Sequence, residues 1–292
     1  MILSVSSVLS GSRAKQYIFL LFAASLLALA SCQKGLHDSP VDENDGAIRF
    51  SLAEKSLVYE VSTKAAAVTT ANLEEFYVTT STGDTGDETA VWENAVFESD
   101  GGATPVFTCP AAKYWPAANP HYHFYASNVE MDFDGSDGVT VDADNSTDVV
   151  CAYLPSPSYK STNALTFDHI FGRVGTVTVT PDTGYTISDV SVTFVPNVSG
   201  TYSINEGAGH ADGTGWYGLS AGDRTAIASA AGANANDIFL VPGYYRASVS
   251  WTATMGDITR SYKGNATMSV VGGKINIYSV TLGGDIEEIV FE

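Results

Sequence analysis

Short segments in which apolar and polar residues alternate follow one another along most of the chain. In "GTVTVT" and "DVSVTFV" the alternation places Val177 and Val179 on one face, and likewise Val190, Val192 and Phe194. Similar runs are "AIRFSL", "EEFYVTT", "HYHFYAS", "YRASVSWTAT" and "KINIYSVTL", separated by Gly, Asp, Asn and Pro. A period of two over short runs with turn residues between them is typical of antiparallel β-sandwiches. The pattern therefore predicts an all-β fold.

Interruptions of this pattern suggest how the chain is organised. The acidic, aperiodic stretch at residues 32–46 is typical of a tether. Two prolines and several small polar residues interrupt the strands in "YLPSPSYKSTNA", which predicts domains at residues 47–158 and 159–292. Only "SAGDRTAIASAAG", residues 220–232, fits one or two turns of helix.

The longest apolar run lies at the N-terminus, from Tyr17 to Ser31, and follows the basic residues Arg13 and Lys15. A positive segment before an apolar run of this length is typical of a signal peptide, predicted here as residues 1–31, because a membrane span needs about 20 apolar residues. Cys32 follows directly, and the pattern resembles a bacterial lipobox, in which acylation of the cysteine gives a lipoprotein. Two or more acyl chains, such as palmitate, anchor a protein stably. An ordinary signal peptide with an incidental cysteine is the alternative.

The charge of the chain restricts its partners. Removal of residues 1–31 takes away two basic residues and no acid, so the formal charge changes from −19 to −21. Binding to phosphate groups requires neutralisation by Lys and Arg, so this charge argues against nucleic acid or anionic lipid headgroups as partners. Cys109 and Cys151 remain after processing, and the sequence leaves open whether they form a disulfide or stay free.

No sequence motif predicts an enzyme, a metal site or a cofactor. Gly218-Leu219-Ser220-Ala221-Gly222 matches G-x-S-x-G, but a nucleophile elbow needs a later histidine and the last one is His210. We interpret the motif as a Gly-rich turn.

The acidic segment "MDFDGSDGVTVDADNSTD" lacks the glycine and glutamate that a calcium loop requires, since Asp137 and Ala143 occupy those positions. A solvated turn is therefore favoured over a surface calcium site. His121 and His123 are predicted to share one face of a strand as structural residues.

Several segments together resemble the fimbrillin family, the type V pilus subunits and related lipoproteins of Bacteroidales. They are the lipobox with its acidic tether, "AIRFSLAEKSLVYEVSTKAAAVTTANLEEFYVTT", "AAKYWPAANPHYHFYASN", "ALTFDHIFGRVGTVTVTPDTGYTISDVSVTFVPNVSGTY" and the late "GGKINIYSVTL". The resemblance implies two transthyretin-like β-sandwiches in tandem and no enzyme activity. It also implies that a lipidated precursor reaches the outer membrane, where a trypsin-like protease removes the first strand and a donor strand from another subunit fills the groove.

The resemblance points to Lys64 in "VSTKAAAV" as the residue after which the chain is cut, so that the mature chain begins at Ala65. The removed first strand would include Ile48, Phe50 and Leu52. The best-described members of the family have arginine at this place, and the alternative is that Lys64 is an ordinary exposed lysine.

The C-terminal "GGDIEEIVFE" is a candidate donor strand with Ile286, Ile289 and Phe291 as its apolar residues. Their spacing does not alternate strictly, so a bulge or partial insertion has to be allowed.

Two functional hypotheses follow. The first is a structural or accessory fimbrial subunit that assembles with other subunits and serves adhesion to a host or bacterial surface ligand. The second is a monomeric surface lipoprotein that binds glycan through an aromatic face lined by Trp and Tyr, for which the tryptophans at positions 92, 115, 216 and 251 are candidates.

Overall fold

The described part of the chain consists almost entirely of β-strands, which confirms the all-β prediction. The computed structural model describes residues 46–53, 68–69, 72–83, 88–117, 121–134, 138–155, 157–284 and 289–291. Its strands are β1 (Arg49–Leu52), β2 (Glu75–Thr82), β3 (Thr89–Ser99), β4 (Val106–Thr108), β5 (Tyr122–Ser127), β6 (Asp132–Asp134), β7 (Gly138–Asp144), β8 (Val150–Leu154), β9 (Thr162–Leu165), β10 (Asp168–His169), β11 (Gly172–Pro181), β12 (Thr186–Phe194), β13 (Asn197–Ser203), β14 (Trp216–Ala221), β15 (Thr225–Ala228), β16 (Gly232–Leu240), β17 (Gly243–Met255), β18 (Ile258–Val270) and β19 (Ile275–Leu282). One helical turn, α1, spans Ile204–Gly207.

An eight-stranded sheet contains the first strand, in the order β10-β8-β5-β2-β3-β4-β1-β9. The two edge strands, β9 and β10, are separated along the chain only by residues 166–167. The three residue steps from Leu165 to Asp168 span about 11 Å at most, so the two edges of the sheet lie near each other there and the sheet curls strongly. Its inner face is lined by a first core rich in phenylalanine, which includes Phe50, Phe76, Phe97, Phe107, Phe124 and Phe167.

Two further sheets enclose the second core. Their orders are β16-β11-β19 and β15-β12-β17-β18. The buried residues alternate along the strands, as in β17, where Ala247, Val249, Trp251 and Ala253 belong to this core. The sequence pattern predicted this alternation because successive side chains in a strand point to opposite faces.

A four-stranded sheet, in the order β14-β13-β7-β6, combines strands from distant parts of the sequence. In it β7 pairs with β13, with Ser203 opposite Thr140 and Ser199 opposite Asp144. A third core beneath it includes Tyr125, Phe171 and Tyr202. The predicted division into residues 47–158 and 159–292, like the transthyretin-like character of the two parts, stays a prediction.

The segment at residues 220–232 is not helical, so that expectation is wrong. Ser220 lies in β14, opposite Ser199 of β13, and Thr225–Ala228 form β15, which pairs with β12. Tertiary pairing overrides a weak local preference for helix here, in a segment that contains Gly222 and ends at Gly232. Within the described ranges, no helix is long and apolar enough to cross a membrane.

Candidate functional site

The first strand is paired on both sides. β1 runs antiparallel to β4 and parallel to β9, so that Phe50 lies opposite both Phe107 and Asn163. At its ends, the Ile48 amide donates to the Lys113 carbonyl (2.7 Å) and the Ala53 amide donates to the Leu165 carbonyl (2.9 Å). The main chain of β1 is therefore held along its whole length.

The side chains of β1 fill the first core at every second position, as the predicted alternation requires. Ile48 is 1% exposed, Phe50 is fully buried and Leu52 packs against the same core while partly buried. The Phe50 ring lies 4.9 Å from that of Phe97 and 5.0 Å from that of Phe124, both edge-on. Full burial of one such side chain stabilises the fold by about 1.5–3 kcal/mol. We call the space that β1 fills, between β4 and β9 and over these rings, the first-strand slot.

One wall of the first-strand slot depends on β1. Within the described sheet β9 pairs with β1 alone, so without β1 its four residues would have no strand neighbour. The turn before β9 is held separately, because the Asn163 amide group donates to the carbonyls of Ser158 and Ser161 (both 3.1 Å). In addition, the Tyr159 hydroxyl donates to the Pro116 carbonyl. The β9 wall would thus stay attached at its base when the slot is empty.

The segment between β1 and β2 is held in place at Val68. Val68 packs against the first core, and its amide donates to Asp148 Oδ2 (2.8 Å). The other carboxylate oxygen, Oδ1, accepts from His169 Nδ1 (2.9 Å). Asp148 and His169 are both buried. Of the predicted site residues, Cys32, Lys64, Ala65 and Ile286 lie outside the described residues.

The C-terminal residues of the candidate donor strand pack on the second core of their own chain. Ile289 is 8% exposed, and its Cδ1 fills the place that a side chain at Gly264 in β18 would occupy. The Phe291 ring lies 5.8 Å from that of Tyr278 in β19, nearly perpendicular to it. Val290 between them is 51% exposed. The tail therefore presents alternate residues to the core, as a strand does.

Both described cysteines are free, which settles the alternative that the sequence left open. Cys109 is half-buried and Cys151 is buried. The Cys151 thiol lies 3.7 Å from the Ser127 hydroxyl, and burial raises its pKa to about 12. These thiols are therefore parts of the packed structure.

A buried polar cluster lies at the end of the β2–β3 hairpin. The Tyr125 hydroxyl donates to Glu88 (2.8 and 2.9 Å), as does the Ser81 hydroxyl. His123 Nε2 donates to the Gly83 carbonyl (3.0 Å), which leaves Nδ1 to accept from the Tyr153 hydroxyl (3.1 Å). His123 is thus satisfied inside the fold, whereas His121 lies exposed just before β5. The two histidines do not form a joint site.

The four tryptophans do not line one face. Trp92 and Trp115 pack on the first core, Trp216 on the third and Trp251 within the second. Trp115 and Trp251 are buried, and the Trp251 indole donates to the Gly283 carbonyl (2.8 Å). The aromatic residues that the glycan hypothesis invoked are therefore spread over three cores.

The remaining motifs carry no constellation of catalytic or ligating groups. The first four residues of the G-x-S-x-G motif lie on β14 and Gly222 follows it directly, which corrects the interpretation of the motif as a turn. In the part of the chain that the structure describes, no group of three or more His, Cys, Asp or Glu side chains could hold a metal ion. From the acidic segment, Asp142 accepts from the Thr201 hydroxyl (2.6 Å) and Asp144 from the Ser146 amide (2.7 Å).

Sequence reasoning missed the Asp148–His169 pair and the Glu88 cluster. Asp148 sits in a polar turn and Glu88 follows a run of Gly and Asp, so neither has a local signal of burial. A buried carboxylate requires partners, and these partners come from elements up to 80 residues away. The one available signal was that His169 lies in "FDHIFGRV", a part of the sequence that resembles the fimbrillin family.

The fold is that of an all-β protein in which one N-terminal strand is paired on both sides and fills part of a core. The fimbrillin-like family model matches residues 63–292, and the chain belongs to this family. This confirms the predicted family and places the chain among structural, non-enzymatic proteins.

Several crystal structures resemble the chain only distantly. A Bacteroides ovatus protein assigned to cell adhesion is 15% identical, with a TM-score of 0.44, and the match covers 84% of this chain and 94% of that one. A Bacteroides fragilis protein of the same assignment is 11% identical, with a TM-score of 0.40 and coverage of 84% and 96%. A third, from Bacteroides eggerthii, is 15% identical, with a TM-score of 0.39 and coverage of 73% and 80%. No curated protein matches the sequence.

Proposed function

We propose that this chain is an adhesive fimbrial subunit that assembles by strand complementation. A protease cuts after Lys64, β1 leaves, and a strand from another subunit enters the first-strand slot. The observation that carries the proposal is the double pairing of β1 together with the complete burial of Phe50. Removal of a strand that is both paired and buried would expose unpaired main-chain groups and an apolar groove, which another strand can cover.

The slot specifies what can enter it. Its walls offer main-chain groups for a strand antiparallel to β4 and parallel to β9, so the incoming strand has to run in the direction of β1. Main-chain hydrogen bonds give such an added strand its affinity, and pockets for alternate side chains give it its register. The entering strand therefore needs apolar residues two positions apart, to replace Ile48 and Phe50.

The extent of the family match supports the position of the cut. The fimbrillin-like model begins at residue 63, next to Lys64, whereas β1 ends at Leu52 and lies outside the match. The matched part of the chain, residues 63–292, thus differs by only two residues from the chain that would remain after cleavage, which begins at Ala65.

The proposal for the donor strand rests on the tail. Ile289 and Phe291 are two residues apart, as Ile48 and Phe50 are, and could fill those two positions. In that register Glu287 would lie at the place of Gly46, before β1, so Ile289 and Phe291 account for two of the three inward positions and not for that of Leu52. Because both apolar residues pack on their own second core, donation requires the tail to leave that core first.

The proposed route to the cell surface follows from the N-terminus. The signal peptide, residues 1–31, directs export, and acylation of Cys32 attaches the precursor to the outer membrane. Family membership supports a location at the cell surface and assembly with other fimbrial subunits. Adhesion to a host or bacterial surface is the activity proposed for the assembled fimbria.

The proposal is tested by limited trypsin digestion of the purified chain, followed by intact-mass measurement and size-exclusion chromatography. We expect a product that begins at Ala65, loses β1 and forms polymers. Lys64→Gln should block both cleavage and assembly, whereas the matched control Lys55→Gln should change neither. Assembly of Lys64→Gln at the wild-type rate, or a cut product that stays monomeric, would contradict the proposal.

A further inference from the structure

The contacts of Asp148 and His169 point to a function in the processed subunit. We infer that this pair is an anchor that holds the new N-terminal segment on the body after the cut, so that cleavage releases β1 alone. The inference rests on the proposed cleavage after Lys64. It gives Asp148 and His169, which belong to no processing motif, the function of holding the segment that begins at Val68.

The anchor is specific for the main chain of this segment. Asp148 Oδ2 accepts from the Val68 amide (2.8 Å), and this bond joins residues 80 positions apart. Oδ1 accepts from His169 Nδ1 (2.9 Å), so both carboxylate oxygens are occupied and the carboxylate is fixed. Hydrogen bonds to a charged acceptor are stronger than those between neutral groups. The hydrogen bond from Val68 to Asp148 therefore attaches the segment before β2 strongly to the body of the fold.

Other parts of the fold hold the anchor in place. The Asn128 side chain donates to the Asp148 carbonyl (2.9 Å) and accepts from the Val150 amide (2.9 Å). His169 lies in β10, opposite Val150 of β8. The anchor is thus built on the β8–β10 edge of the first sheet and does not depend on β1.

The two ends of the cleaved segment are bound to different parts of the fold. At its start, the Ala53 amide donates to the Leu165 carbonyl of β9 (2.9 Å), a bond that is lost when β1 leaves. At its end, Val68 is bound to Asp148 on the opposite edge of the sheet. After a cut at Lys64, only residues 65–67 precede the anchored amide. These residues would be too short a stub to re-enter the first-strand slot, which stays open for a donor strand.

Val68 is also held by its surroundings. Its side chain packs against the first core, and the Leu73 amide donates to the Thr69 carbonyl (3.0 Å) in the turn that leads to β2. These contacts fix the direction of the segment, while the Asp148 carboxylate accepts the hydrogen bond of the Val68 amide. Loss of the carboxylate should therefore loosen the segment without removing β2.

The test uses a full-length variant with a recognition sequence for a site-specific protease ending at residue 64, so it does not depend on natural cleavage there. After the cut, an aminopeptidase trims the new N-terminus, and mass spectrometry locates the stop. Hydrogen exchange then reports protection of the Val68 amide. We expect trimming to stop before Val68 and its amide to stay protected.

Two variants and a control separate anchoring from general stability. Asp148→Ala removes both acceptors, and Asp148→Asn leaves one oxygen for two donors, so trimming should pass Val68 and its amide should exchange on the order of tenfold faster. Glu88→Gln is the control, because Glu88 is a buried carboxylate of the same sheet that contacts Ser81 and Tyr125 instead. Trimming past Val68 in the unsubstituted chain, or to the same extent in Glu88→Gln, would overturn the inference. Failure of natural cleavage at Lys64 would instead overturn the proposed function.

Discussion

The ring of Phe50 in β1 lies edge-on against the ring of Phe124 in β5, with centroids 5.0 Å apart and planes at 84°. Edge-to-face pairs of this kind stabilise a core beyond the effect of buried area alone. The strand proposed to leave during assembly thus supplies a ring to the centre of the first core. Removal of β1 would uncover the rings of Phe124 and Phe97 together, and in the proposed assembly this aromatic surface would favour entry of another strand.

Truncation of the first-strand side chain should weaken the uncut chain. Phe50→Ala removes a fully buried ring and should lower the free energy of unfolding by about 3–5 kcal/mol. Val91→Ala is the control, since Val91 is 41% exposed on β3, and its effect should stay within about 0.5 kcal/mol. Urea unfolding followed by tryptophan fluorescence measures both. A loss below about 1 kcal/mol for Phe50→Ala would show that β1 is not part of the core.

A free copy of the first strand should compete with the donor strand. A synthetic peptide of residues 46–53 should bind the cut chain and inhibit its polymerisation, because it restores the pairing with β4 and β9. The same peptide with Phe50→Ser should bind at least tenfold more weakly, since burial of a phenylalanine contributes about 1.5–3 kcal/mol. Fluorescence anisotropy of the labelled peptide gives the affinities. Equal binding of both peptides would mean that the slot does not select side chains.

The tail should contribute to assembly through alternate residues. Ile289→Ser and Phe291→Ser should each reduce polymerisation of cut chains, because these residues are proposed to enter the slot. Val290→Ser should not, since Val290 faces solvent. The extent of assembly is read by light scattering at equal protein concentration. If all three variants assemble as the unsubstituted chain does, the donor strand lies elsewhere.

The two described thiols should differ in reactivity. Burial raises the pKa of Cys151 to about 12, so at pH 8 almost no thiolate forms there, and the side chain is also shielded. Cys109, which is half-buried, should react with iodoacetamide much faster in a Cys32→Ser background. Peptide mapping after timed labelling measures the two rates. Cys151 should become equally reactive in urea, and rapid labelling without urea would contradict its burial.

The local sequence pattern predicted the strands well but not their partners. Alternation in "ASVSWTA" corresponds to the buried and exposed faces of β17, since that period is a property of the strand itself. The parallel pairing of β1 with β9, and of β7 with β13 across the predicted boundary, left no local signal. Such pairings depend on loop closure and on which apolar faces meet in three dimensions, which a short window of sequence does not contain.

The candidate site was partly predictable for the same reason. Alternation indicated that Ile48 and Phe50 share a buried face, and the structure confirms their burial. The Asp148–His169 pair could not be derived, because its geometry joins a turn, a two-residue strand and an amide 80 residues away. Buried polar pairs are defined by partners in space, whereas hydrophobic strands are defined by neighbours in sequence.

The most direct test of strand complementation is the intact mass and N-terminal sequence of this chain in fimbriae purified from the native cell. The account predicts a chain that begins at Ala65 and lacks Ile48 and Phe50, present in the polymer. A polymer whose subunits all begin at a lipid-modified Cys32 and retain β1 would contradict it, because the first-strand slot would then never have opened.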